Sequence, residues 1–233
     1  MSEIKETIDE QLGGGVSKVE QFYQKNKRAV QIGAGVLVLA IAGFFGLTYM
    51  NDTKEAEANS RLWMMEYYFS KDSFDLVLNG NPKAEEPIGA IEFVEEYSGT
   101  KAAQKAALMA GKAYIVKGDY TTALTYLEKF KLDDELIRPM AIGLIGDCQS
   151  ELGNMEEAES SYQKAANFSA NPYSTPVMLK KLGLVQESLG KHKEAAATFT
   201  RIKKEFNESE TARDIEKYIA RASAKAGINS FDF

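Results

Sequence analysis

From Ala29 to Met50 the chain runs AVQIGAGVLVLAIAGFFGLTYM, 22 residues without a charge. As a helix rising about 1.5 Å per residue, this stretch covers a hydrocarbon core of about 30 Å, so the pattern predicts a transmembrane helix. A cleaved signal peptide is the alternative, because Ala40-Ile41-Ala42 has the small residues of a cleavage site. The 28 residues ahead of the stretch exceed the usual signal n-region, and the apolar run continues through Phe44, Phe45 and Leu47; both features favour an uncleaved anchor. Upstream, Ile4, Ile8 and Leu12 have helical spacing, Gly13-Gly14-Gly15 breaks the pattern, and Val16, Val19 and Tyr23 form a second short phase. Two marginal helices, or partial disorder, fit a segment this short. Downstream, Ala56 to Phe69 reads as a helix continuing from the span, and Asn79-Gly80-Asn81-Pro82 breaks the chain. From Ile88 to Tyr97, apolar residues at 88, 91, 93, 94 and 97 predict another helix.

Beyond residue 100 the pattern repeats. Gly111, Gly146 and Gly183 are each followed seven residues on by Gly118, Gly153 and Gly190, and five further by Ala123, Ala158 and Ala195. The successive offsets are 35 and 37 residues. Four residues past each alanine stand Leu127, Tyr162 and Phe199, and three further Phe130, Ala165 and Ile202. The segments AGKAYIVKGDYTTALTYLEKF, IGDCQSELGNMEEAESSYQKA and LGLVQESLGKHKEAAATFTRI resemble the tetratricopeptide repeat, a helical hairpin of about 34 residues. In each, the first glycine lets the second helix come close, the next glycine ends the first helix in a left-handed turn, and the alanine is small enough for the crossing. One hairpin cannot bury its own apolar face, so three predict a right-handed solenoid with a concave and a convex side. Pro139 and Pro176 suit first-turn positions. The first-helix tyrosine of the motif is present at Tyr114, but Gln149 and Gln186 replace it in the other repeats. Ser209 to Ala226, with Ala212, Ile215, Ile219 and Ala222 at helical spacing and Gly227 as its stop, reads as a helix capping the open end.

The fold class expected is therefore all-α: a single N-terminal transmembrane helix and a tetratricopeptide-repeat solenoid. The organisation reads as a cytoplasmic tail over 1–28, the span over 29–50, and membrane-proximal helices with a repeat-like helix over 51–103. Three repeats over 104–207 and a capping helix with a tail over 208–233 complete it. Lys18, Lys25, Lys27 and Arg28 precede the span, against Lys54 and Arg61 just after it, which predicts an N-terminus in the cytoplasm and an exported repeat domain. The tail is balanced in charge, so the exported part carries the whole net −6.

A composition of 44% hydrophobic and 27% charged residues excludes a disordered or collagen-like chain. One cysteine, Cys148, excludes an intramolecular disulfide, and with a single histidine, His192, no zinc site can be assembled from His and Cys. The acidic balance argues against nucleic acid. Neither a G-x-x-x-x-G-K-[ST] nor a G-x-G-x-x-G sequence occurs, Gly33-Ala34-Gly35 lying in the span, and no nucleophile set forms around His192, which reads as a solvated turn residue. No enzyme activity, catalytic residue, metal or cofactor is expected. Cys148 reads as a small buried hydrophobe.

A short N-terminal tail, one signal-anchor helix and an exported repeat domain together resemble the YfgM-type family of ancillary subunits of the bacterial Sec translocon. The stretches EYSGTKAA (96–103), RPMAIGLIGD (138–147), TPVMLKKLGLV (175–185) and ARDIEKYIARA (212–222) resemble repeat proteins of this architecture from Bacteroidetes-type bacteria. The resemblance implies an adaptor in the bacterial inner membrane, with a periplasmic repeat domain near the translocon exit. It implies association with a membrane-anchored periplasmic chaperone of the isomerase type.

In the standard register the concave face presents Lys112, Asp147, Ser150, Glu151, Lys180, Leu184 and Glu187. Mixed charge there suits a polar protein surface, and Asp147 and Glu151 stand where a clamp for a terminal carboxylate would need cations. Leu184 is the one large hydrophobe of that set, which favours a structural adaptor over a holdase that grips unfolded segments; a scaffold for cell division or envelope assembly uses the same fold. The aromatic run from Arg61 to Phe69 is either core or a docking surface, with Trp63 and Tyr67 as its candidates. Within the span, Ala29 with Gly33 and Ala42 with Gly46 have the spacing that lets another helix approach closely. The terminal Phe231-Asp232-Phe233 reads as a frayed end.

Overall fold

The computed structural model describes residues 22–85 and 87–228. The apolar phases from Ile4 to Val19 and the terminal Phe231-Asp232-Phe233 lie outside the described residues. The described residues are all-helical, and the chain divides into two compact units between Thr53 and Lys54. Helix α1 (Lys27–Ser70) contributes to both. In the first unit its charge-free stretch is long and apolar enough to cross a membrane, and its side chains are exposed there.

The second unit starts with the remainder of α1, a short α2 (Phe74–Asn79) and α3 (Ala90–Glu96). Ala58, Leu62 and Met65 of α1 share a core with Val77, Leu78, Phe93 and Tyr97. The Glu55 carboxylate accepts the amide protons of Lys101 (2.6 Å) and Ala102 (3.1 Å) at the N-terminus of the next helix, where unpaired amides and the helix dipole favour an anion. Tyr97 donates its hydroxyl proton to Glu57 over 2.9 Å.

Three hairpins follow: α4 (Lys101–Val116) with α5 (Tyr120–Leu127), α6 (Ile137–Glu151) with α7 (Met155–Phe168), and α8 (Thr175–Ser188) with α9 (His192–Glu205). Their register is that of the glycine pattern. A Cβ added to Gly111 would stand 2.6 Å from Leu127 Cδ2, and one added to Gly146 would stand 2.7 Å from Tyr162 Cε1; at Gly183 it would collide with the Phe199 ring. The bulky partner sits sixteen residues past the glycine every time, so the absent side chain admits the second helix. Gly118, Gly153 and Gly190 have φ of +77°, +83° and +75°, a left-handed turn that residues with a Cβ rarely adopt. Ala123, Ala158 and Ala195 are fully buried at the crossings. Pro139 and Pro176 lie in the first turns of α6 and α8, where the missing amide costs no helical bond.

The C-terminal segment packs on the last hairpin, with Ile215, Ile219 and Ala222 sharing a core with Phe199 and Ile202. A 3-10 turn (Glu210–Asp214) leads into α10 (Ile215–Ala226), and Gly227 closes it at φ +70°. Gly227 lies 37 residues past Gly190, the spacing that separates Gly190 from Gly153. Helix α10 therefore holds the first-helix place of a fourth repeat, with Ala220 where the other repeats have glycine. His192 departs from expectation: it opens α9 half-buried, and its Nδ1 is buried without a hydrogen-bond partner among the described residues. Cys148 is fully buried, and burial pushes its thiol up to about 11, so it stays protonated.

Candidate protein-interaction face

The first helices α4, α6, α8 and α10 bring equivalent positions into one register. The residue after each glycine, or after Ala220, is Lys112, Asp147, Leu184 or Arg221. Six residues before the same point stand Lys105, Met140, Val177 and Asp214.

Several charges read from sequence as a free surface are ties between successive repeats. Asp147 accepts a hydrogen bond from the Tyr162 hydroxyl (2.7 Å) and is gripped through both oxygens by Lys181 Nζ at 2.6 Å. The Lys181 ammonium also lies 5.9 Å from the Tyr162 ring centroid. Asp147 thus joins three helices while its side chain stays 28% exposed. Burial, and then the bond to Asp147, push the Tyr162 phenol well above its usual range. Lys180 pairs with Asp214 at 3.3 Å and lies 4.7 Å from the Tyr218 ring centroid. Glu187 pairs with Arg221, whose Nε donates to it over 2.9 Å. The Asp147–Lys181, Lys180–Asp214 and Glu187–Arg221 pairs each span 34 residues, as does the Arg201–Asn167 hydrogen bond. These ties bind one repeat to the next.

The remainder of the face is more apolar than expected. Leu184 is 40% exposed, and Met140 (54%), Val177 (38%) and Val116 (55%) are exposed on the first helices with it. Leu184 is the one large hydrophobe of the seven residues expected on the concave face, and these three exposed apolar residues lie outside that set. Glu151 is exposed, and both it and the half-buried Lys112 have no ion-pair partner among the described residues; Ser150 reaches the Met155 sulfur at 3.7 Å. A second glycine, Gly143, was not singled out by the repeat pattern: a Cβ there would collide with Met178 of the next repeat.

The aromatic run on α1 divides between two faces. Leu62 and Met65 turn into the core, whereas Trp63 and Tyr67, one helical turn apart, are 59% and 53% exposed. Core packing does not account for these two rings. In the charge-free stretch of α1, Ala29, Gly33, Ala42 and Gly46 are exposed, and a Cβ added at Gly33 or Gly46 would meet nothing within 4 Å.

Stacked hairpins with this glycine and alanine register define a tetratricopeptide-repeat protein. The chain belongs to the family described as tetratricopeptide repeat-like domain, whose profile matches residues 20–141, more than half its length. Two further tetratricopeptide repeat profiles match residues 141–172 and 181–209. Among solved structures, the repeat unit is similar to a Podosopora anserina protein described as a kinesin light chain with nearly identical TPR-like repeats. That likeness has 14% identity and a TM-score of 0.52, covering 74% of this chain and 88% of the other. It is similar too to the protein MamA, at 21% identity and a TM-score of 0.48, covering 73% and 92%. No curated protein matches the sequence. Repeat proteins of this class are in general scaffolds that bind other proteins, so the fold suits protein–protein interaction.

Proposed function

We propose that the chain is a membrane-anchored adaptor without enzymatic activity, which holds a protein partner on the first-helix face of its repeat domain. In this reading the N-terminus is cytoplasmic, the span lies in a bacterial inner membrane, and the repeat domain is periplasmic. Its partners are the Sec translocon and a membrane-anchored periplasmic chaperone of the isomerase type, and it assists export or folding of secreted proteins. The observation that carries the proposal is one chain joining a helix, whose charge-free stretch is long enough to span a membrane, to a tetratricopeptide-repeat unit. Positive flanks ahead of the span support the orientation, and the YfgM-type resemblance supports the partners. Anchoring confines adaptor and partner to one membrane, which raises their effective concentration and makes a weak contact sufficient.

A second reading, a holdase for unfolded segments, draws support from the exposed Met140, Val177 and Leu184. The two are separated by purifying the full chain from membranes in mild detergent and identifying its partners. Translocon and chaperone subunits are expected. Recovery of division or envelope-assembly proteins alone contradicts the translocon setting, and a chain that instead suppresses aggregation of an unfolded test protein favours the holdase.

A further inference from the structure

We infer that the cleft between the start of α8 and the loop leading from α9 into the 3-10 turn binds a polypeptide segment that carries an apolar side chain beside an arginine or lysine. The inference rests on the adaptor reading and specifies the chemistry of its ligand at one end of the repeat unit.

The cleft has a volume of about 900 Å³, a size that accommodates several side chains. Its apolar wall is Tyr173, Val177 and Phe206, and Tyr173 is the most exposed of them at 78%. An ordered turn presents that ring: the Asn171 side-chain oxygen accepts the amide protons of Tyr173 (3.0 Å) and Ser174 (2.7 Å). The Thr175 hydroxyl donates to the Ser169 carbonyl over 2.8 Å. Little backbone freedom remains to be lost when a ligand arrives.

The opposite side is acidic. Glu205, Glu208, Glu210 and Asp214 line the cleft with only Lys180 and Arg213 against them, and both cations are engaged within the chain. Lys180 is committed to Asp214 and the Tyr218 ring, and Arg213 reaches Glu210 at 3.8 Å. Lys217 further holds Asp214 at 2.6 Å, and Arg201 holds Glu205 at 2.9 Å. Glu208 has no ion-pair partner among the described residues, and the Glu210 side chain is 89% exposed. Glu208, without an ion pair among the described residues, and Glu210, held only at 3.8 Å, are the carboxylates left open to a ligand beside the exposed aromatic ring. A guanidinium or ammonium there gains attraction from the carboxylates and from the face of Tyr173, and its apolar neighbour covers Val177 and Phe206. An anionic segment meets repulsion at the same place.

The test is fluorescence anisotropy with the full chain in phosphatidylcholine nanodiscs and two labelled short peptides, leucine alternating with arginine in one and with glutamate in the other. The arginine peptide is expected to bind and the glutamate peptide not to. Glu208→Lys with Glu210→Lys, and separately Tyr173→Ala, should each weaken binding at least about tenfold. The same charge change on α7, Glu156→Lys with Glu157→Lys, should leave it unaltered. Equal binding of both peptides, insensitivity to the cleft substitutions, or equal loss on the α7 reversal each overturns the inference. If it fails while co-purification still depends on the first-helix face, the adaptor reading stands; if partners are released by neither set of substitutions, that reading fails as well.

Discussion

Gly146 and Tyr162 occupy space that a single added carbon would contest: a Cβ on Gly146 would lie 2.7 Å from Tyr162 Cε1. The ring fills the missing side chain's place, and its hydroxyl reaches Asp147, the next residue along α6. One contact thereby sets both the closeness of a hairpin's two helices and the tie to the following repeat.

Gly146→Leu should destabilise the repeat unit by roughly 2 kcal/mol or more, since overpacking a filled site typically costs about 1 to 3 kcal/mol. Lys204→Leu, on an exposed position, should change it little. Thermal melts of both variants check this; two wild-type melting curves would mean that the repeat register is wrong.

Asp147 and Glu151 should part company. Asp147→Lys places a cation against Lys181 and leaves Tyr162 without its acceptor, so it should lower the melting temperature, by an amount corresponding to about 1 to 3 kcal/mol. Glu151 is exposed and has no ion-pair partner among the described residues, so Glu151→Lys should melt like the natural chain. Asp147→Lys with Lys181→Glu should recover part of the loss, measured as a double-mutant cycle. Equal melting of the two single variants would show that the tie contributes nothing.

Three aspartates have folded-state pKa values held below the usual 3.8: Asp134 by the amides of Ile137 and then Leu136, Asp119 by Thr122, and Asp214 by Lys217 and then Lys180; Lys203 likewise holds Glu216 below its usual 4.5. A depressed folded-state pKa means that the stabilisation is fully present above the unfolded value and is lost as pH falls through the folded one. The melting temperature should hold between about pH 7 and 5 and drop below about pH 4. Asp134→Asn, which already lacks the charge, should show a shallower acid limb in a pH series of melts. An acid limb unchanged by this substitution would assign the loss to other groups.

How far the sequence revealed this arrangement depended on the range of each signal. The glycine and alanine spacing is local and repeated, so it disclosed the hairpins and their close contacts. Helix α2 was not read because its six residues lie just before the break at Gly80. The helix after the last hairpin is legible as a cap, whereas its first-helix register is masked by Ala220 in the place of the glycine and shows only in the spacing of Gly227 from Gly190. Face assignment from register alone left Asp147, Lys180 and Glu187 free, because their partners lie on the next repeat. Scanning for opposite charges 34 residues apart would have found Lys181, Asp214 and Arg221. Trp63 and Tyr67 could not be placed inside or outside until Leu62 and Met65 were seen to fill the core.

The proposed orientation makes a separate expectation. Protease added to spheroplasts should remove the chain beyond about residue 51, since the span ends where its apolar length runs out. Protection of the repeat unit under those conditions would reverse the topology.

The central claim is that the first-helix face of the repeat unit holds the partner. A photo-crosslinking phenylalanine analogue placed at Leu184 in the full chain, in intact membranes, tests it most directly, with the same group at Glu157 on α7 and at Phe44 in the span for comparison. Leu184 should yield a discrete adduct with a translocon or chaperone subunit, and Glu157 should yield none. Adducts from Phe44 or Glu157 with none from Leu184 would contradict the claim and assign recognition elsewhere on the chain.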